Sequence, residues 1–181
     1  AVVGDEQALG AAGSVMNWEG RATRLVGEPV FGCRASHLLD RDGNRFRAAF
    51  LAALDRIAGT GRFVSLVGEL DCRITGLLGE LPVDSQGRWH DFSAVDALAH
   101  DYVAWLAEAC AERDLSPIVM GTPASNVQVE VMRDLARSAY LTIIERFNGA
   151  LAAAASERHL PFADLFGATR SRGAQGRPDL Y

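Results

Sequence analysis

The chain has 181 residues, 49% of them hydrophobic, and a formal net charge of −5, the size and apolar content of one domain (residues 1–181) around one core. Its 18 cationic side chains are all arginine and are scattered along the sequence, so no basic stripe offers itself to a nucleic-acid backbone or an anionic membrane surface. Without a lysine, the chain cannot encode a Walker-type phosphate loop, a kinase-type phosphate-binding lysine or a Schiff-base mechanism.

Cys33, Cys72 and Cys110 are an odd set without paired spacing, which suggests neither a disulfide framework nor a C-x-x-C metal knuckle. A reducing compartment, the cytoplasm, is the expectation, a leader already removed being the alternative. No run of about 18 apolar residues is present. No cofactor is implied, and the sequence leaves the oligomeric state open.

Short apolar runs alternate with longer helical patterns, the mark of βαβ units and a parallel sheet. Five strands are predicted: Ala1–Val3, Leu25–Phe31, Arg62–Val67, Pro117–Met120 and Pro161–Leu165. After the first, "GDEQ" leads into a small-residue helix. "RFRAAFLAALDRIAGTG" sets Phe46, Ala49, Phe50 and Leu54 at helical spacing and ends in glycine. "AVDALAHDYVAWLAEACAERD" places Leu98, Tyr102, Trp105 and Leu106 on one stripe. "VMRDLARSAYLTIIERFNGALAAAASERH" is the longest helical pattern, with Asn148–Gly149 as a candidate kink. The tail "GATRSRGAQGRPDLY" reads as irregular. The expected fold is therefore a three-layer α/β/α arrangement with a five-stranded parallel sheet, flavodoxin-like in architecture.

Ligands in open α/β sheets bind beyond the carboxyl ends of the strands. That edge collects Asp5 and Glu6 after the first strand, Gly32, Cys33, Arg34, Ser36 and His37 after the second, Gly68, Glu69, Asp71 and Arg73 after the third, and Thr122 and Ser125 after the fourth. His159 precedes the fifth strand and falls at the opposite end, whereas His100 lies within a helix and reads as structural.

With these residues in place, "VVGDEQA" resembles the first block of the SGNH (GDSL) hydrolases, where G-D-S carries the nucleophilic serine. Gly32 in "VFGCRASHL" is similar to the second-block glycine, whose N–H helps to form the oxyanion hole. "SLVGELDCR" is similar to the third block, G-x-N-D, and closer still to a bacterial subgroup reading G-E-I-D-C-R. The resemblance spans nearly the whole chain, through "LPFADLF". It implies an SGNH-hydrolase-like domain of esterase or acyl-transfer ancestry, acting on a small acyl or carbohydrate ester. It also implies that Glu6 stands in the nucleophile position, Leu70 in that of the third-block Asn, and that the closing D-x-x-H belongs after Tyr181.

Acyl transfer of that kind needs a hydroxyl nucleophile, an imidazole base and N–H donors for the oxyanion. A carboxylate at position 6 is suited instead to a base role or to binding a cation, so serine catalysis is expected to be lost. The catalytic candidates are Glu6, Gly32 and Asp71, and the substrate-binding candidates are Asp5, Arg34, Glu69, Arg73 and Thr122. Each has a bland counterpart. Asp5 and Glu6 suit a helix's first turn, and Glu69, Asp71 and Arg73 can form a local ion pair that pins a loop. A Cys33 or Cys72 thiol paired with His37 or His90, and a metal held by Asp5, Glu6, Asp71 and a histidine, are further options without a spacing motif. Trp89, in a long loop, is a candidate pocket wall or lid. A non-catalytic module binding a ligand or partner, and chemistry repurposed around Glu6 as base, are the alternatives to an ester hydrolase.

Overall fold

Three apolar segments, VVG, RFVSL and SPIVM, form the middle of the sheet, because their side chains are too hydrophobic to stand at a surface. In the computed structural model, the described residues are 1–5, 8–18, 20–73, 76–123, 134–169, 171–172 and 178–179. The first half runs β1 (Val2–Gly4), α1 (Ala8–Ala11), β2 (Val15–Trp18), β3 (Arg21–Arg24), β4 (Gly27–Pro29), α2 (Ala35–Leu39), α3 (Arg45–Ile57), β5 (Arg62–Leu66), α4 (Glu69–Cys72) and α5 (Leu77–Glu80). The second runs α6 (Ser93–Ala111), β6 (Ser116–Met120), α7 (Asp134–Glu157), β7 (Phe162–Ala163), α8 (Leu165–Thr169), β8 (Ser171–Arg172) and β9 (Pro178–Asp179).

The main sheet has the order β4-β1-β5-β6-β7 and all its pairings are parallel, with Val2 opposite both Gly27 and Val64, and Val64 opposite Ile118. This is the expected five-stranded parallel sheet flanked by helices. Alternation along the strands divides the side chains between two faces. Val3, Phe63 and Val119 point into the main core with residues of α2, α3, α6 and α7, while Val2, Val64, Leu66 and Ile118 face a smaller cluster completed by Ala8, Leu25 and Leu165.

The long helices sit where the periodicity places them, with shifts in detail. Asn44 opens α3 by accepting hydrogen bonds from the Phe46 and Arg47 N–H groups at 2.9 and 3.0 Å. Its buried stripe is Phe50, Ala53, Leu54 and Ile57, whereas Ala49 is exposed and Phe46 half-buried. In α6 the deepest residues include Tyr102, Val103 and Leu106, with Leu98 and Trp105 at the rim. Helix α7 continues through Asn148–Gly149.

The strand predicted over Pro161–Leu165 contracts to Phe162–Ala163, because Leu165 opens α8. The one predicted over Leu25–Phe31 contracts to β4. The β2–β3 hairpin, turning at Gly20 with φ +80°, has no counterpart among the sequence expectations. Nor does the β8–β9 pairing in the tail read as irregular.

Candidate functional site

The sheet order reverses direction beside β1, so the crevice of this topology opens between the carboxyl ends of β1 and β5, with the β4 loop as its neighbour. At Gly4 a Cβ would overlap the Leu66 carbonyl, and the next N–H, from Asp5, donates to that same oxygen at 3.1 Å. Glycine therefore lets β1 and β5 run close together up to the crevice. The Asp5 carboxylate is 1% exposed. Glu6 and Ser125 lie outside the described residues.

The β4 loop is tied to the same edge, since the Val30 N–H donates to the Gly4 carbonyl at 2.6 Å. Gly32 follows with φ +73°, a conformation glycine adopts without strain, and its free Cα faces the Phe46 ring. Cys33 is fully buried. Burial pushes its thiol up to about 12, and the charges of Asp71 and then Asp5 push the same way. Asp5, the Gly32–Cys33 turn and Asp71 thus meet at one place, from three separate loops.

Asp71 is 2% exposed and its two oxygens are both occupied. One accepts from the Ala35 N–H at 2.7 Å. The other accepts from the Ser36 N–H at 3.2 Å and the Ser36 hydroxyl at 2.8 Å. Burial raises the Asp71 pKa, and these hydrogen bonds oppose the rise. The carboxylate anchors the start of α2, and through it the β4 loop.

The other predicted residues are likewise woven into the walls. Glu69, 3% exposed, makes a two-pronged pair with Arg73, at 3.0 Å to Nε and 2.7 Å to an Nη, the loop-pinning arrangement. At Gly68, φ is +123° and a Cβ would overlap the Phe147 ring, so this turn admits no side chain. Thr122 is fully buried, and its hydroxyl accepts from Asn148 Nδ2 at 2.9 Å. The same amide donates to the Ile144 carbonyl at 2.8 Å. Asn148 is the polar residue sequence reasoning missed: the Asn-Gly signal reads as a kink, but it marks a side chain reaching across to the end of β6.

The thiol–imidazole pairing is not formed. The Cys33 thiol donates to the Arg34 carbonyl at 3.7 Å, while His37 Nδ1 accepts from the Arg34 N–H at 3.2 Å. Cys72 is fully buried with its pKa raised well above the ordinary value, and His90 is exposed. Among the described residues, no group of three or more His, Cys, Asp or Glu is placed to hold a metal ion.

Trp89 belongs to a turn ordered by Asp84, which accepts from the Gln86 and Arg88 N–H groups at 2.8 and 2.9 Å. Its half-buried ring packs on the main core. With Phe92, Ala139 and Thr142 it walls a cavity of about 240 Å³. Among the described residues, no helix is long and apolar enough to cross a membrane.

No family model and no curated protein matches the chain. Among solved structures, an inferred acylhydrolase from Bacteroides fragilis overlays with a TM-score of 0.54 at 16% identity, over 98% of this chain and 72% of that one. An extracellular lipase from Streptomyces rimosus gives a TM-score of 0.46 at 18% identity over 92% of this chain and 79% of its own, too loose an overlay to carry an argument. At 16% identity the first likeness is one of fold, a five-stranded parallel sheet with flanking helices.

Proposed function

We propose that this chain is an SGNH-hydrolase-like domain of esterase or acyl-transfer ancestry whose crevice receives a small acyl or carbohydrate ester and whose serine chemistry is lost. Glu6 stands where the family's first block carries serine. A carboxylate there supplies no hydroxyl and adds negative charge beside a developing oxyanion.

The observation that carries this reading is the employment of the remaining polar groups at the sheet's carboxyl edge. Asp71 holds α2, Glu69 is paired with Arg73, Thr122 is tied to Asn148, and the Cys33 thiol is pushed up to about 12. Ser36 presents a hydroxyl, but it donates to Asp71 rather than to an imidazole, so no Ser–His pair of the family's kind forms among the described residues. Asp71 and Gly32 then act as positioning elements: one fixes the loop, the other leaves room at its turn.

The same observation favours a second reading, a module that binds its ligand or partner without turning it over. A stopped-flow experiment with p-nitrophenyl acetate tests the loss of serine chemistry. The expected trace is a slow linear release of nitrophenolate without a burst, whereas a burst approaching one equivalent per chain overturns the proposal.

A further inference from the structure

Beside Gly32 lies a cluster that the arrangement above does not use. His37 stacks on Phe46 with ring centroids 4.3 Å apart and planes 9° from parallel. The Arg45 guanidinium sits 4.7 Å from the centroid of the same Phe46 ring, and Phe46 is also the side chain nearest the open Cα of Gly32, where a Cβ would come within 3.5 Å. Arg34 precedes α2 and is half-exposed. The Arg45 guanidinium, one imidazole and one aromatic ring thus gather beside the glycine turn of the β4 loop, with Arg34 two residues along the chain from Gly32.

No carboxylate of the described residues is in contact with the guanidinium groups of this cluster, although the Arg34 charge acts on Asp71 through space, in a chain whose net charge is −5. Arg56, Arg73, Arg88, Arg113 and Arg146 each hold a carboxylate of this chain. Among the described residues, neither Arg34 nor Arg45 does. Two carboxylates act on His37, those of Asp71 and Asp40, and both are engaged. Asp71 binds the start of α2, and Asp40 accepts from the Asp42 N–H at 3.2 Å and from Asn44 Nδ2 at 3.1 Å. Because His37 Nδ1 is an acceptor, the neutral ring carries its proton on Nε2 and has that N–H to give. Burial, then Arg34, and more weakly Arg45 lower the His37 pKa against the opposing charges of Asp71 and Asp40, which favours the neutral ring.

We infer that Arg34, Arg45 and His37 form an oxyanion-recognition site at the crevice rim, so that the ligand carries a carboxylate or phosphate group beside the part that enters by Gly32. Guanidinium forks match the planar or tetrahedral oxygens of such groups, and the imidazole Nε2–H adds a directed donor. The inference rests on reading the crevice as a ligand site and names the ligand's class.

The test is direct binding to the full chain at low salt, by calorimetry and by NMR of the His37 ring. The probes are glucuronate, glucose 6-phosphate and the neutral methyl glucoside. At least one charged sugar is expected to bind about tenfold or more tighter than methyl glucoside, as one or two charge-assisted hydrogen bonds allow. The affinity should fall as salt is added, and the His37 resonances should shift on binding. Arg34→Gln and Arg45→Ala should each remove most of the preference while leaving the thermal midpoint within a few degrees of the parent. Which charged sugar is favoured distinguishes carboxylate from phosphate. Equal binding of charged and neutral sugars, or a preference that survives both substitutions, overturns the inference. Neither result bears on the ester burst, which tests the loss of serine chemistry alone.

Discussion

Asp71→Ala removes one carboxylate and leaves three donors without their acceptor. The Ser36 N–H and hydroxyl belong to an exposed residue and turn to water, whereas the Ala35 N–H, on a fully buried residue, is stranded. A buried unsatisfied donor costs about 1–3 kcal/mol and the loss of a helix-start acceptor about 0.5–2 kcal/mol. A destabilisation of about 3 kcal/mol is therefore expected, or about 6–12 °C in thermal midpoint for a domain of this size. The pH dependence gives a second, signed test. The folded-state pKa of Asp71 is raised above its ordinary value of 3.8, so the folded chain binds this proton more tightly than the unfolded one. Its contribution to stability then grows as pH falls through the folded pKa toward the unfolded value, and is lost as pH rises. Urea denaturation from neutral pH down to about pH 4 should show the variant's deficit widening on acidification. A deficit below about 1 kcal/mol refutes the anchoring role, and one that narrows with acid contradicts the raised pKa, showing that the hydrogen bonds to the ionised carboxylate outweigh its burial.

Gly68→Ala should destabilise by about 2–4 kcal/mol, since it combines a left-handed backbone with overlap on the buried Phe147 ring. Gly59→Ala, with φ +75° and open space around it, should cost only about 1–2 kcal/mol by the same denaturation assay, and equal losses would contradict the packing argument. The thiols should resist dithionitrobenzoate at pH 8 in the folded chain and react on unfolding, because at a pKa of about 12 only about one Cys33 in ten thousand is thiolate. Rapid titration of Cys33 in the native state would count against the burial assigned to it. Asn148→Ala should lower stability by about 1–3 kcal/mol in thermal denaturation, having left the Thr122 hydroxyl and the Ile144 carbonyl without their shared donor. An unchanged midpoint would show that this bridge is dispensable.

The sheet was legible because its central strands are continuous apolar runs, as in "RFVSL" and "SPIVM", and because glycine and polar residues cluster just after them. The edge strands were less so. β4 is only three residues long, and β7 gives way at once to α8. The hairpin at Gly20 carries no Asn-Gly or Asp-Gly pair, the sequence signal that announces such turns. At the site, position along the chain was enough to bring Asp5, the Gly32 loop and Asp71 to one edge, because topology alone decides that. What each side chain does there was not legible, since it depends on partners far off in sequence. Asp71 meets Ala35 and Ser36, and Thr122 meets Asn148, through contacts that no local motif encodes.

The central claim is that the crevice has kept its architecture and lost its serine nucleophile. Incubating the folded chain with a fluorophosphonate probe, followed by intact-mass and peptide mass spectrometry, tests it most directly. The account predicts no covalent adduct on any serine, Ser36 included, while the same probe labels an active serine esterase in a parallel reaction. An adduct on a single serine of the folded chain, abolished by unfolding, would contradict it and place the nucleophile at the labelled residue.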